Sequence, residues 1–305
     1  MDDGLVIARL IHFAAAMAAF GGAAFRLYAV ERDALHARAD ALMSFDRWSV
    51  NLVRASALLM FISALAIVPF VAAGMAGAAS AAFDPTTLAT VLFATEFGRV
   101  WCCHLLFAGL LIVGTAVAPH RPALNVICAA LALASLGWVG HAAGGSGWAG
   151  FGREINQSVH LLAAGLWLGG LLPLGWLLGR ARRASAGFDR LLRHALPAFS
   201  QMGYVAVAVI AVTGAVNTLV LVGSVEALFS TNYGRLLSLK IVLYLAMVAI
   251  ALRNRLQLMP RLSDRDTAAA GALYRSVLQE QAIGFGILAV VSILETWPPP
   301  FMHHH

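Results

Sequence analysis

Long apolar runs separated by short polar segments dominate the pattern along this chain of 305 residues. A membrane-spanning helix needs about 20 predominantly apolar residues, and eight stretches approach or exceed that length. They cover residues 5–30, 49–74, 98–118, 123–142, 155–178, 197–222, 236–252 and 278–297. Between the second and third stretches, residues 80–97 are partly apolar but contain Asp84, Pro85 and Glu96, which predicts a loop with a short interfacial helix. The pattern as a whole predicts an all-α polytopic membrane protein with eight transmembrane helices.

The composition supports this fold class and excludes two others. Apolar residues make up 60% of the chain and charged residues only 12%, whereas a soluble domain is typically about 45–50% apolar and about 25% charged. An ordinary soluble enzyme is therefore excluded, as is intrinsic disorder, which requires the opposite composition. The sequence also shows no nucleophile elbow, no Ser–His–Asp set and no nucleotide fingerprint, so we do not expect an enzyme.

The distribution of the basic residues predicts the orientation in the membrane. The net charge is +6, and Lys and Arg are retained in the cytoplasmic loops of membrane proteins. Most loop arginines fall in the odd-numbered connections, whereas the even-numbered connections contain only Arg99, Arg153 and Arg235. Both termini are therefore predicted to face outward. The basic excess is explained by topology, and nucleic acid is not expected as a partner.

Two sequence patterns occur twice in the same order. The first is a histidine followed by eight residues and Gly-Gly, at residues 12–22 and 160–170. The second starts with Thr-x-x-Gly-Arg and has His or Lys nine residues after the Thr, at residues 95–104 and 231–240. We infer two parallel four-helix repeats related by an axis near the membrane normal, an architecture known in transporters. The alternative is that Gly-Gly simply recurs in helices embedded in lipid.

The repeats divide a single integral membrane domain in two. The approximate division is residues 1–122, with helices 1–3 and the following linker, and residues 123–305, with helices 4–8.

Four histidines fall in the predicted outer half of the bundle: His12, His104, His141 and His160. With a rise of about 1.5 Å per residue, their depths below the outer surface range from zero, at a helix end, to roughly 13 Å. An ionisable side chain inside a span is costly and generally functional, and neutral imidazole is a good ligand for Cu, Zn, Fe and Ni. We predict a metal site shared by at least two of the four. The alternative for each is a hydrogen-bonded interior residue.

Other side chains at the same level are weaker candidate ligands. They are Cys102, Met17, Glu96 and Glu295. Glu295 has an alternative role in a structural ion-pair cluster with Arg9 and Lys240. We place Trp101 in an aromatic belt at the outer interface. The terminal residues 303–305, three histidines, have the form of a purification-tag remnant and are left out of the candidate site.

Several of these segments resemble the copper resistance protein D (CopD) family. The matching segments are Gly140-His141-Ala142, residues 159–170, residues 233–240 with 253–255, and His12 with its following Gly-Gly. The resemblance implies a multi-pass protein of the bacterial inner membrane that moves copper inward as Cu(I) or Cu(II). In that membrane the outward-facing termini predicted from loop charge are periplasmic. It also implies a periplasmic copper-binding protein of the CopC type as a partner, together with membrane lipid. Helix 1 departs from helix 5 in one respect. Its Gly-Gly is preceded by Phe20, and it has no tryptophan that corresponds to Trp167 of helix 5.

The same resemblance implies His12, His141 and His160 as metal residues, while His104 is a candidate from its depth and repeat position alone. Two other functions stay open. A pair of histidines on facing helices can hold a b-type haem, which would make the chain a membrane redox protein with bis-His ligation. The second alternative is a copper-binding scaffold or sensor that carries out no transport.

Overall fold

The computed structural model describes residues 2–30, 39–140, 147–183, 186–262 and 267–299, and all regular elements within these ranges are helical. The α-helices are α1 (Asp2–Tyr28), α2 (Ala39–Ala76), α3 (Pro85–Ala94), α4 (Glu96–Val117), α5 (Pro122–Ser135), α6 (Gly147–Ala181), α7 (Ala186–Val222), α8 (Val225–Ser230), α9 (Asn232–Arg253), α10 (Met259–Leu262) and α11 (Thr267–Leu294). A π-helical turn, Asn254–Leu258, joins α9 to α10. The prediction of an all-α protein is confirmed.

Seven of these helices are long and apolar enough to cross a membrane: α1, α2, α4, α6, α7, α9 with its extension to Leu262, and α11. They correspond to seven of the eight predicted spans. The eighth, residues 123–142, corresponds to α5, which has 14 residues and is extended by a 3₁₀ turn, Leu136–Trp138. At about 1.5 Å per residue α5 is about 21 Å long. Its length is limited by Pro122 at its start and by Gly140, whose φ of 91° is incompatible with a right-handed helix.

The outward faces of the helices are apolar, as expected for a bundle surrounded by lipid. Large side chains such as Ile62, Val205 and Val242 are exposed in the middle of α2, α7 and α9. In a soluble protein such extensive exposure of apolar side chains would be unfavourable. Since the same helices also have the length and composition of membrane spans, these faces are the lipid-contacting surface.

Two helices, α1 and α6, form the centre of the bundle. α1 packs against α2, α5, α6 and α11, and α6 packs against α7 and α11 as well. One cluster of buried apolar residues lies among α1, α2, α4 and α5. A second lies among α6, α7 and α11 together with the adjoining ends of α1 and α2. The first of these clusters surrounds the candidate site described below.

The central pair makes its closest approach at the two Gly-Gly motifs. A Cβ atom on Gly21 would meet the backbone of Gly165 and Gly169, and one on Gly169 would meet the Met17 carbonyl oxygen and lie 2.9 Å from the Gly21 Cα. Small residues allow helix backbones to approach this closely. Gly21 and Gly169 hold the same position in the repeated pattern, so equivalent residues of the two motifs touch each other.

The second repeated pattern also adopts the same local structure twice. The Thr95 hydroxyl accepts a hydrogen bond from Gly98 N at 2.9 Å, and the Thr231 hydroxyl accepts one from Gly234 N at 3.0 Å. Each Thr is thus the N-cap of a long helix, α4 or α9, a role that its side-chain oxygen favours. Each Gly lies against backbone carbonyls of the preceding short helix. α3 and α8 therefore pack in the same way against the helices that follow them.

Helix α3 is the predicted interfacial helix within residues 80–97, and Asp84 caps its first turn. One carboxylate oxygen of Asp84 accepts hydrogen bonds from Thr86 Oγ1 at 2.5 Å, Thr87 Oγ1 at 2.6 Å and Thr87 N at 2.9 Å. These bonds, from the Thr86 and then the Thr87 side chains, lower the pKa of Asp84 from 3.8 to about 2. Hydrogen bonds to an ionised carboxylate favour the charged form. The cap therefore stabilises the folded state while the carboxylate is ionised.

We expect Asp84→Ala to increase amide hydrogen exchange in α3 at pH 7, because Thr87 N loses its acceptor. Since the folded-state pKa is depressed, the stabilisation by the wild-type cap is complete above about pH 4 and is lost as the pH falls toward about 2. Hydrogen–deuterium exchange of residues 85–94, followed by mass spectrometry, measures the effect at pH 7. Asp84→Asn retains an acceptor oxygen and is the matched control. Equal exchange in Asp84→Ala and wild type would contradict this role of the cap.

Candidate metal centre

His12 and His104 meet in the interior of the bundle. His12 is on α1 and is 1% exposed, and His104 is on α4 and is 0% exposed. Their ring centroids are 4.9 Å apart, with an angle of 57° between the ring planes. Of the four candidate histidines, the structure brings these two into contact.

Each ring of this pair is held through Nδ1 by a backbone carbonyl and a serine hydroxyl. His12 Nδ1 lies 3.2 Å from Met60 O and 3.0 Å from Ser63 Oγ on α2. His104 Nδ1 lies 2.9 Å from Ala132 O and 3.0 Å from Ser135 Oγ on α5. Two helices that carry no candidate ligand histidine therefore orient the two imidazoles.

These contacts fix which nitrogen carries the proton. A carbonyl oxygen only accepts hydrogen bonds, so Nδ1 is the protonated nitrogen in both rings. The hydroxyl of Ser63 donates to Leu59 O and Met60 O, and that of Ser135 donates to Ala132 O, so both hydroxyl oxygens serve the imidazoles as acceptors. Each Nε2 then has a free lone pair. A donor bond from the other ring nitrogen to a carbonyl is typical of metal-ligating histidines.

Both Nε2 atoms are buried without a hydrogen-bond partner. Among the side chains that the structure describes, few buried nitrogen or oxygen atoms lack a hydrogen-bond partner, and His12 Nε2 and His104 Nε2 are two of them. Leaving a buried polar atom unpaired costs about 1–3 kcal/mol. A cation that reached both Nε2 atoms would use both lone pairs and remove that cost.

Trp101 completes the pair's surroundings and was missed as a site residue by the sequence interpretation. Its ring is stacked on His104 at 5.3 Å between centroids and lies 5.4 Å from His12. Trp101 is 3% exposed, and its indole nitrogen donates to Ala64 O at 3.0 Å. Its assignment to an interfacial aromatic belt was therefore wrong. The i,i+3 spacing from Trp101 to His104 places both on one helix face, and that was the available signal.

His160 occupies a separate place on α6. Its Nδ1 lies 2.8 Å from Thr213 Oγ1 on α7, and the Thr213 hydroxyl donates to Val209 O at 2.6 Å. The hydroxyl oxygen thus accepts from His160, which leaves the free lone pair on Nε2, as in the His12–His104 pair. The ionisable group that interacts electrostatically with His160 is Lys240, and in the described residues His160 makes no ring contact with His12 or His104.

Glu295 lies at the end of α11 among basic groups. Arg9 Nη1 donates to the Glu295 backbone oxygen at 2.7 Å, and the Glu295 carboxylate interacts electrostatically with Arg9 and Lys240. A Cβ atom on Gly140 would lie 2.5 Å from Glu295 Oε2. These contacts fit the alternative role of Glu295 as part of a structural ion-pair cluster better than a role as a metal ligand.

The remaining candidates lie apart from the pair or outside the described residues. His141 lies outside the described residues. Glu96 is highly exposed at the start of α4, 3.7 Å from Arg99. Cys102 is directed to Leu92 O in α3, with 3.8 Å between the sulfur and the oxygen. Met17 is buried in the apolar cluster around the pair. Among the described residues, no three His, Cys, Asp or Glu side chains lie close enough to hold one ion.

The chemistry of the pair is that of a small, neutral, two-nitrogen site. Metal–imidazole bonds are about 2.0–2.1 Å long, so two axial imidazoles on opposite sides of a haem place their ring centroids about 6 Å apart. The 4.9 Å separation is shorter, and Trp101 occupies the adjoining space. The geometry suits a single ion bound at an angle between the rings better than a haem.

Comparisons with known proteins found similar sequences. Family models match at residues 1–151, described as the N-terminal domain of copper resistance protein D-like proteins, and at residues 193–294, described as copper resistance protein D. Over 297 residues the chain is 32% identical to the inner membrane protein YebZ of Escherichia coli (strain K12), covering 95% of this chain and 97% of YebZ.

Two further relatives are named for copper. The chain is 29% identical over 306 residues to copper resistance protein D of Pseudomonas syringae pv. tomato, covering 97% of this chain and 96% of the relative. It is 25% identical over 243 residues to the copper transport protein CutJ of Bacillus subtilis (strain 168), covering 75% of this chain and 42% of CutJ. No solved structure matches the chain significantly.

Proposed function

Because the chain belongs to the copper resistance protein D family and is a multi-pass inner-membrane protein, we propose that it transports copper across the bacterial inner membrane through His12 and His104. The observation that carries this proposal is the pair of buried Nε2 atoms without hydrogen-bond partners. The ion is the transported substrate. The copper-named relatives support its identity.

The surroundings of the pair favour Cu(I) over Cu(II). Both ligands are neutral, and an apolar cluster surrounds them. Burial of charge in such surroundings is costly, and the cost is smaller for a monovalent ion. Imidazole is a ligand for copper, and the Trp101 ring beside both imidazoles offers a cation–π contact and excludes water.

We propose inward transport on the basis of the predicted orientation. With both termini periplasmic, His12 and His104 lie in the periplasmic half of the bundle, where an incoming ion would be loaded. Uptake from a separate periplasmic copper-binding protein of the CopC type is consistent with that position. His141, in the connection before α6, is the candidate residue for receiving the ion from such a donor.

We also propose eight spans arranged as two four-helix repeats, with α5 as the short fourth span of the first repeat. The contact between Gly21 and Gly169 supports this arrangement, because equivalent residues touch only beside a two-fold axis. α5 orients His104 through Ala132 and packs mainly on α4 and α1, which favours a boundary between the repeats after α5.

The repeat makes His160 the counterpart of His12 and Lys240 the counterpart of His104. In the first repeat the two positions supply two neutral nitrogen ligands. In the second, the lysine ammonium takes the place of both the second ligand and the positive ion. We therefore assign the copper-binding step to the first repeat and regard His160 with Lys240 as a related site in which a protein cation replaces the metal.

Lys240→His tests this equivalence. We expect the copper stoichiometry of the purified protein to rise from one to two ions per chain, because the substitution restores a histidine pair with His160. Metal analysis on protein lacking the terminal histidines measures the ratio. Lys240→Ala removes the charge without adding a ligand and is expected to stay at one ion. If Lys240→His also stays at one, the proposed equivalence of the two positions is wrong.

Copper flux into sealed vesicles tests the transport function itself. Liposomes that enclose a Cu(I)-sensitive fluorescent chelator are expected to show a faster fluorescence change on addition of Cu(I) when they contain the protein than when they are protein-free. Binding without flux would favour a copper-binding scaffold. A Soret band in the absorption spectrum of the purified protein would favour the haem alternative.

A further inference from the structure

A cavity of about 530 Å³, lined in part by charged side chains, lies at the end of α1 opposite the histidine pair. It is bounded by the last turns of α1, the first half of α2, and the connection from α4 to α5. Its basic lining residues are Arg26, Arg47, Arg54 and His120, and its acidic lining residue is Asp46. The cavity plays no part in the proposed copper site, and its lining has a surplus of positive charge.

The surplus belongs to Arg47 and Arg54. Arg26 is paired with Asp46, with 3.2 Å between Arg26 Nη2 and Asp46 Oδ2. Arg47 makes one long bond to a backbone carbonyl of its own helix. Arg54 Nη2 donates to Thr115 O at 2.6 Å, while its Nε is buried without a partner. Neither Arg47 nor Arg54 has a carboxylate within ion-pair distance among the residues that the structure describes.

An uncompensated guanidinium at this position calls for an anion. Arg54 lies within the α2 span, where an ionisable group is costly and is generally paired or functional. Asn125 lines the same cavity, is 5% exposed, and has a buried Oδ1 without a partner. The cavity thus offers a phosphate two guanidinium groups without a carboxylate partner, one of which has a buried Nε that lacks an acceptor. Asn125 Oδ1 is itself an acceptor, so it suits a hydroxyl group of the same ligand rather than a phosphate oxygen.

We propose that this cavity binds a phosphate group, supplied either by the headgroup of an anionic lipid or by a free phosphate. Guanidinium groups bind phosphate oxygens in a bidentate manner and more strongly than neutral donors do. Basic pockets between transmembrane helices on the cytoplasmic side are typical sites for anionic headgroups, and the predicted topology places this cavity on that side. A volume of about 530 Å³ is within the usual range for small-ligand sites.

Binding there would join α2 to α5, two helices that have little direct contact with each other. The cavity walls come from α1, α2 and the α4–α5 connection, and His120 and Asn125 lie on either side of Pro122, at the start of α5. A ligand whose phosphate is held by Arg54 and whose hydroxyl group donates to Asn125 Oδ1 therefore connects α2 to the short helix α5. We expect the bound anion to stabilise the protein against heat as well as to occupy the cavity.

The test measures phosphate and lipid binding to the full-length protein. In one arm, delipidated protein in detergent is titrated with inorganic phosphate by calorimetry. In the other, native mass spectrometry counts lipids retained after exchange into phosphatidylglycerol or into phosphatidylcholine. Arg54→Gln and Arg47→Gln are each expected to weaken the binding about tenfold or more. Arg193→Gln, an exposed arginine of α7 away from the cavity, is the matched control and is expected to bind as wild type does.

The two arms separate the sources of the phosphate. Selective retention of phosphatidylglycerol identifies a lipid headgroup, and phosphate binding in detergent without lipid selectivity identifies a free phosphate. Arg47 is exposed, so Arg47→Gln gives a result even if Arg54→Gln fails to fold. If wild type binds neither ligand, or if both variants bind as tightly as wild type, the proposed site is overturned. Copper uptake is not needed for either measurement.

Discussion

Replacement of His12 or His104 by alanine is expected to weaken Cu(I) binding by more than about 100-fold and to abolish copper flux into vesicles. Loss of a residue that merely orients a metal ligand typically costs 10–100-fold in affinity, and each of these substitutions removes one of the two proposed ligands. The remaining imidazole would bind the ion alone in an apolar cluster. Competition with a chromogenic Cu(I) chelator measures the affinity of purified protein.

The control for this prediction is a histidine outside the site. His194, exposed on α7, is expected to be replaceable by alanine with no change in Cu(I) affinity. Size-exclusion profiles of His12→Ala and His104→Ala in detergent show whether the variants remain folded. If both are folded and retain wild-type affinity, the histidine pair is not the copper site, and the sites involving His141 or His160 become the leading candidates.

Replacement of Gly169 by alanine is expected to cost about 3 kcal/mol or more of stability. The added methyl group would overlap the Met17 carbonyl oxygen, a backbone atom that a side-chain rotation does not move away. Overpacking of a tight interior typically costs about 1–3 kcal/mol, and occasionally more. At about 2–4 °C per kcal/mol, the thermal midpoint should fall by more than about 6 °C. Thermal unfolding in detergent, followed by tryptophan fluorescence, measures the shift.

Gly74 provides the matched control, since it lies in a transmembrane helix, α2, and a Cβ atom there meets nothing within 4 Å. Gly74→Ala should leave the midpoint unchanged or raise it slightly, because alanine favours helix more than glycine does. A midpoint for Gly169→Ala equal to that of Gly74→Ala would show that α1 and α6 do not cross as closely as described.

The elements that follow from local sequence were the ones that could be predicted. Apolar runs fix the spans, and the Asp84-Pro85 start signal fixes α3. The length of α5 was overestimated, because apolar composition continues past the glycines that end the helix. Helix crossings depend on the complementary shapes of distant segments, which a single sequence does not show. The Gly-Gly repeat suggested a common architecture but gave no sign that the two motifs touch.

The same distinction applies to the candidate site. Depth along each span selected four histidines, which include His12 and His104, because rise per residue is a local property. The serines that orient them come from α2 and α5, at separations of 51 and 31 residues, and the sequence has no feature that assigns those partners. Trp101 was placed at the membrane interface by mistake, because a tryptophan near a helix end looks the same in the sequence whether it faces the interface or the interior.

The short helix α5 has a consequence for the electrostatic barrier that an ion meets. Ala132, whose carbonyl holds His104, and Asn125, which lines the basic cavity, are seven residues apart on α5, or about 10 Å. A typical hydrocarbon core is about 30 Å thick. The low-dielectric layer between the histidine pair and the polar cavity is therefore about a third of a normal bilayer. The buried thiol of Cys128 lies midway along that layer.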